Sequence, residues 1–195
     1  RKPKVSTFTD AKIDKIVELK PDLVFTFSDI QAGITAELMH GGLEVHAFNH
    51  RTVAGIFAMI RTVGALIGEP DKALALASRL QANLDETRAK VKALKHRPRV
   101  YFEEWDEPMI SAIGWVSDLI NIAGGKNVFA DRAYGQAAKD RFVTSEEVVA
   151  AAPDVIIGSW CGKGFKKNEV AARPGWYAIP AVKNGRLHEI KSSII

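Results

Sequence analysis

Four carboxylates, Glu103, Glu104, Asp106 and Glu107, surround Trp105 in one short run of the chain. Two close carboxylates can exchange protons or hold a hard cation. In an extended strand Glu103 and Trp105 face one side and Glu104 the other, so a single site can use only part of the cluster. His46 and His50 are four residues apart, but they straddle a strand end and a turn instead of sharing a helix face. With His40 the only other histidine nearby, and neither H-E-x-x-H nor a paired C-x-x-C in the sequence, no metal site is expected. Ser159-Trp-Cys161-Gly162 invites a nucleophile reading, yet a nucleophile elbow requires glycine where this chain has Ile157. Nothing in the sequence places a base beside Cys161. Walker and G-x-G-x-x-G loops are both absent, so nucleotide binding has no support. No catalytic residue is expected. The tryptophans remain: Trp105 and Trp160 close two expected strands, and Trp115 and Trp176 follow turns. Each could simply pack against a helix, but strand carboxyl ends are where α/β sheets bind ligands, and aromatics there can wall a large flat one.

The elements that must position these residues read as α/β. A helix-like stretch 11–20 leads into a buried parallel strand at 21–27, then a helix at 32–40 stopped by Gly41-Gly42. A strand at 43–48 and a helix at 52–67 complete a βαβα succession. Pro70 opens the longest helical pattern, 70–95, with Ala73, Leu76, Leu80, Leu84, Val91 and Leu94 on one stripe. At 1.5 Å per residue it would span roughly 39 Å, more than one small lobe needs, which suits a helix joining two lobes. The pattern restarts with a strand at 99–104, a helix at 115–123 and a short strand at 127–129. Thr144 and Glu147 have capping-box spacing, and strands follow at 154–160 and 186–190. Lys20-Pro-Asp-Leu-Val-Phe25 and Ala152-Pro-Asp-Val-Ile-Ile157 repeat one phrase, as two similar lobes would. The expected domains are an N-terminal α/β lobe (1–69), an inter-lobe helix (70–95) and a C-terminal α/β lobe (96–195).

Bulk properties are ordinary for a globular chain. The 195 residues carry a formal charge of +4, with basic residues scattered except at Arg1–Lys4 and Lys166-Lys167, which gives no footprint for nucleic acid. The single cysteine, Cys161, excludes an internal disulfide. No apolar run reaches the roughly 18–20 residues of a membrane span.

An ordered set of phrases resembles the solute-binding proteins of ABC importers for cobalamin and ferric siderophores. The set comprises Leu19-Lys-Pro-Asp-Leu-Val24, Glu104-Trp105 with Pro108, Gly114-Trp115 and Ile122-Ala-Gly-Gly-Lys-Asn-Val-Phe129. It continues with Pro153-Asp-Val-Ile-Ile157, Ser159-Trp-Cys-Gly-Lys163, Arg173-Pro-Gly-Trp176 and Ala181-Val182. The resemblance implies two parallel-sheet α/β lobes on one rigid helix, with a ligand in the cleft between them and small hinge motion. It implies a periplasmic or extracellular monomer, free or membrane-anchored, that delivers its ligand to a permease with its ATPase. Members of that family commonly have a strand and helix before the position of Arg1 and a helix after that of Ile195, so an incomplete first lobe is an expectation.

On this resemblance the ligand is expected to be a corrinoid such as cobalamin or a related chelate, with no resident cofactor. Phe27, Ser28, Asp29 and His50 would line the cleft from the first lobe, and Glu104, Trp105, Trp115, Trp160 and Trp176 from the second. Ser28, Asp29 and Glu104 would hydrogen-bond amide groups of the ligand. Glu37 and Glu169 are the expected permease-docking acids. A ferric siderophore or haem is the alternative on the same fold, haem requiring an axial ligand from His46, His50 or Tyr101. The alternative of another class is an acid–base or metal-assisted enzyme using Glu103 and Glu104.

Overall fold

A computed structural model describes residues 2–195; Arg1 of the basic Arg1–Lys4 stretch lies outside the described residues. The chain divides into two compact units, residues 1–50 and 51–195. This partition differs from the expected boundaries at 69/70 and 95/96, because both long helices pack with the larger unit.

In the smaller unit, α1 (Ile13–Glu18) leads to β1 (Val24–Phe27), α2 (Ala32–His40) and β2 (Val45–Phe48). The two strands pair in parallel, Val24 opposite Val45 and Phe27 opposite Phe48. Thr26 is buried beneath α2, where Thr35 Oγ1 donates to Thr26 Oγ1 at 2.9 Å. Alternation then turns Phe25 to the other face, where it is exposed. The strand is therefore buried on one face only, and the expectation of burial on both is corrected.

The larger unit opens with α3 (Val53–Leu66), capped by Thr52, whose hydroxyl accepts from Gly55 N at 3.0 Å. Next comes α4 (Pro70–Val91), with proline in its first turn and Asp71 near its positive end. Its 22 residues span about 33 Å. The helices meet at Gly64, where a methyl group would run into the Cβ of Ala73. Ala73 and Ala77 are buried, whereas Leu76 and Leu94 of the expected stripe are exposed.

A five-stranded sheet follows, formed by β3 (Arg99–Asp106), β4 (Met109–Ser111), β5 (Lys126–Asn127), β6 (Val155–Gly158) and β7 (Leu187–Glu189). β3 is central. One edge pairs in parallel with β6, which pairs in parallel with β7. The other edge takes β5 in parallel at its start and β4 antiparallel at its end. The β3–β4 hairpin was not expected, because β4 is three residues long and follows Pro108, which reads as a break. Helices α5 (Gly114–Ile122), α6 (Ser145–Ala151), α7 (Lys167–Ala171) and α8 (Pro180–Lys183) complete the unit. Tyr101, Ile156, Trp160, Trp176 and Ile179 share one core cluster, while Val100, Phe102, Val116 and Ile120 form another beneath α5. The capping box is present: Thr144 Oγ1 accepts from Glu147 N at 3.2 Å, and Glu147 Oε2 accepts from Thr144 N at 2.8 Å.

The repeated Pro-Asp phrase has a backbone counterpart. Lys20 and Ala152, each immediately before proline, both have positive φ, at 46° and 41°. Each helix thus ends on a left-handed residue before Pro-Asp and a strand. At the second copy, Arg99 Nη2 donates to Ala152 O, and Asp154 Oδ2 accepts from Arg99 N at 2.8 Å. The phrase is a device that turns a helix back into its parallel strand.

Candidate functional site

The carboxyl end of β3 separates its acids by strand alternation. Glu103 is fully buried and faces the cluster of Tyr101 and Trp160. Its carboxylate takes both arms of the Arg173 guanidinium, at 2.6 and 2.9 Å. It also accepts from Tyr101 Oη at 3.0 Å and from Trp160 Nε1 at 3.1 Å. Burying a carboxylate is costly unless it is paired and hydrogen-bonded, and these four bonds meet that condition. Burial pushes the Tyr101 phenol well above its ordinary value, and the Glu103 carboxylate reinforces the shift. The Arg173 guanidinium also stacks over the Trp176 ring, 4.6 Å from its centroid. Sequence reasoning had no means of singling out Glu103 as the buried acid, because its partner lies 70 positions away.

Glu104 is turned to the opposite side and is half-buried. It pairs with Arg141, Nη1 to Oε2 at 2.6 Å, and the same nitrogen donates to Ser111 O at 2.6 Å. The β3–β4 register shifts between Glu103 and Trp105, a bulge that re-aims the strand end. Trp105 is half-buried, and its Nε1 donates to Glu107 O at 2.9 Å. Lys163 lies above it. Its ammonium is 4.2 Å from the Trp105 ring centroid, 5.0 Å from that of Trp160, and bonds Asp106 at 2.7 and 2.9 Å. Burial opposes ionisation of Asp106, but the Lys163 ammonium outweighs it and holds the carboxyl below its usual range.

The other expected walls divide. Trp160 is 5% exposed, with its ring edge against Phe165 and its N–H committed to Glu103. Trp176 has no exposed surface, packs edge-on to Tyr101, and donates to Ser145 Oγ at 2.7 Å. Both are core residues here, which corrects their expected stacking role. Each lies beside a turn, but its ring is buried in the Tyr101 cluster. Trp115 is half-buried against the Phe102 cluster, on the face away from Trp160. Among the second-unit candidates, Trp105 is the tryptophan at the sheet end that keeps accessible surface next to charged groups.

In the smaller unit, the four expected residues gather at the carboxyl ends of β1 and β2. The rings of Phe27 and His50 lie 5.0 Å apart. Ser28 has φ 75° as the chain leaves β1, and its hydroxyl donates to Asp29 Oδ1 at 2.9 Å. Glu37, on α2, and Glu169, on α7, are exposed, and Glu169 pairs with Lys166 at 2.9 Å. Among the described residues no three His, Cys, Asp or Glu side chains converge as metal ligands. None of their helices is long and apolar enough to cross a membrane.

Known proteins are similar to this chain in sequence and fold. The chain is 26% identical over 195 residues to an uncharacterized ABC transporter substrate-binding lipoprotein of Bacillus subtilis, covering 95% of this chain and 60% of that protein. It is 25% identical over 202 residues to a vitamin B12-binding protein of Vibrio parahaemolyticus, covering 98% of this chain and 68% of that one. A periplasmic heme-binding protein solved with two hemes superposes at a TM-score of 0.79 and 25% identity, over 98% of this chain and 74% of that one. These relatives are binding proteins, and the two acids of the enzyme alternative are each tied to an arginine. The enzyme reading is therefore set aside. The periplasmic binding protein family model runs over residues 1–194, and the chain belongs to that family.

Proposed function

We propose that the chain belongs to the solute-binding component of an ABC importer, and that its ligand is cobalamin or a related corrinoid passed to a membrane permease and its ATPase. The observation that carries the ligand class is the Trp105 face at the end of β3, set among acids of which three have basic partners and Glu107 is exposed. Glu103 is matched by Arg173, Glu104 by Arg141 and Asp106 by Lys163. Such a surface has an aromatic wall and no unmatched cation, with Glu107 the one acid left over, which suits a large ligand without negative charge. A ferric siderophore carrying negative charge would call for unpaired cations there. The relative named as vitamin B12-binding supports the same choice. On this reading Phe27, Ser28, Asp29 and His50 contact the ligand from the smaller unit, and Glu37 and Glu169 meet the permease. The protein works as a monomer outside the cytoplasmic membrane.

Haem is the second reading, favoured by the relative solved with two hemes. Tyr101 is committed to Glu103 in the core, which leaves His46 and His50 as axial candidates. Titration of tryptophan fluorescence with cyanocobalamin, corrected for the ligand's absorbance, tests the first reading. Saturable quenching at micromolar or lower concentration, lost in Trp105→Ala, is expected. A Soret band that shifts with His50→Ala, without a response to cobalamin, would replace corrinoid by haem.

A further inference from the structure

Lys163 lies over the accessible face of Trp105. Its ammonium covers the Trp105 ring at 4.2 Å and reaches the Trp160 ring at 5.0 Å, while Asp106 fixes it from the side. Two indole faces and a carboxylate make a complete receptor for an ammonium group. The chain fills this receptor with its own side chain. The segment that carries Lys163 lies open to solvent. Cys161, Gly162, Lys163 and Gly164 are all exposed, Gly162 has φ +76°, and nothing lies within 4 Å of where its Cβ would be. By contrast, the rings beneath are held. Trp160 is anchored by Glu103, and Trp105 by Glu107 O.

We infer that Lys163 is a tethered, displaceable occupant of the Trp105 face, and that it sets the ligand specificity of this site. A flat uncharged ligand stacks on Trp105 only when the 161–164 segment swings Lys163 away. A small cationic ligand finds its receptor already taken. This inference rests on the reading of Trp105 as a ligand wall. The cost of displacement is modest, because an exposed ion pair and a cation–π contact are each worth little, so removing the plug should tighten binding about three- to tenfold.

Lys163→Ala is the test, with cyanocobalamin as ligand. Tighter binding by that factor is expected. Added n-butylammonium chloride should refill the vacated receptor and weaken cobalamin binding to the variant toward the parent value, whereas sodium chloride at equal ionic strength should not. Unchanged or weaker cobalamin binding in the variant overturns the inference. If neither protein binds cobalamin, the corrinoid reading fails and the plug is judged without a ligand. Acrylamide should then quench tryptophan emission more strongly in Lys163→Ala than in the parent, a difference abolished in the Trp105→Phe background. Equal quenching in parent and variant overturns the plug.

Discussion

A single carboxylate organises the end of the large sheet. Glu103 has no exposed surface and accepts from an arginine fork, a phenol and an indole. Replacing it with glutamine keeps the shape but leaves the half-buried Arg173 charge without its counter-ion. Glu103→Gln is expected to lower stability by about 3 kcal/mol in urea unfolding, at the low end for a broken buried pair because Arg173 keeps some solvent. Glu103→Leu combined with Arg173→Met removes both charges but strands the Tyr101 hydroxyl and the Trp160 N–H, so it should cost about as much as that single change. The network also predicts an alkaline response. The folded Tyr101 phenol titrates well above its unfolded value. Its contribution is complete below the unfolded phenol value and is lost as pH rises through the folded one. In a spectrophotometric titration, one of the three tyrosines should stay un-ionised until the chain unfolds, and Tyr101→Phe should remove that delayed step.

At the scale of elements, two junctions carry most of the specification. The left-handed residues before Pro21 and Pro153 bend each helix back into a strand, and a non-glycine residue there is strained by roughly 1–2 kcal/mol. Ala152→Gly is expected to gain up to about 1 kcal/mol once the extra freedom of the unfolded glycine is subtracted. Thermal unfolding would register the gain as a higher Tm. Gly64 is the opposite case. A side chain there meets Ala73 on the facing helix, so Gly64→Val should push α3 and α4 apart and cost at least about 1–3 kcal/mol. Much of this layer was legible in the sequence. Thr144 with Glu147, Pro70 with Asp71, and the apolar runs after each Pro-Asp are local signals, and each stands where its element begins. What was not legible depends on distant partners. Neither the burial of Glu103 by Arg173 nor the inward turn of Trp160 and Trp176 leaves a local trace. The same holds for Leu76, whose period matches the stripe although Ala77 takes the buried place.

Across the whole molecule, the formal charge of +4 suggests a basic surface, yet at the aromatic sheet end Arg141, Lys163 and Arg173 are each matched by an acid. That balance separates the ligand classes by a property that needs no structure of the complex. The field of a neutral constellation falls off quickly, and an uncharged corrinoid gains nothing from the scattered surface cations. Its affinity should change less than about twofold between roughly 0.05 and 0.5 M sodium chloride, although the screening length shrinks about threefold over that range. An anionic ferric siderophore, or haem with its two propionates, would have to recruit cations from outside the paired set, and screening would weaken it. A fall of tenfold or more in titrations across that range would mean that the ligand's charge is read by residues other than the three pairs. Lys163 sharpens the distinction. With an uncharged ligand it must leave Asp106 without a new anionic partner, so Lys163→Ala should tighten binding at low salt and less so at high salt, where the exposed pair is already screened. With an anionic ligand the freed ammonium would become a contact, and the same substitution should weaken binding most at low salt.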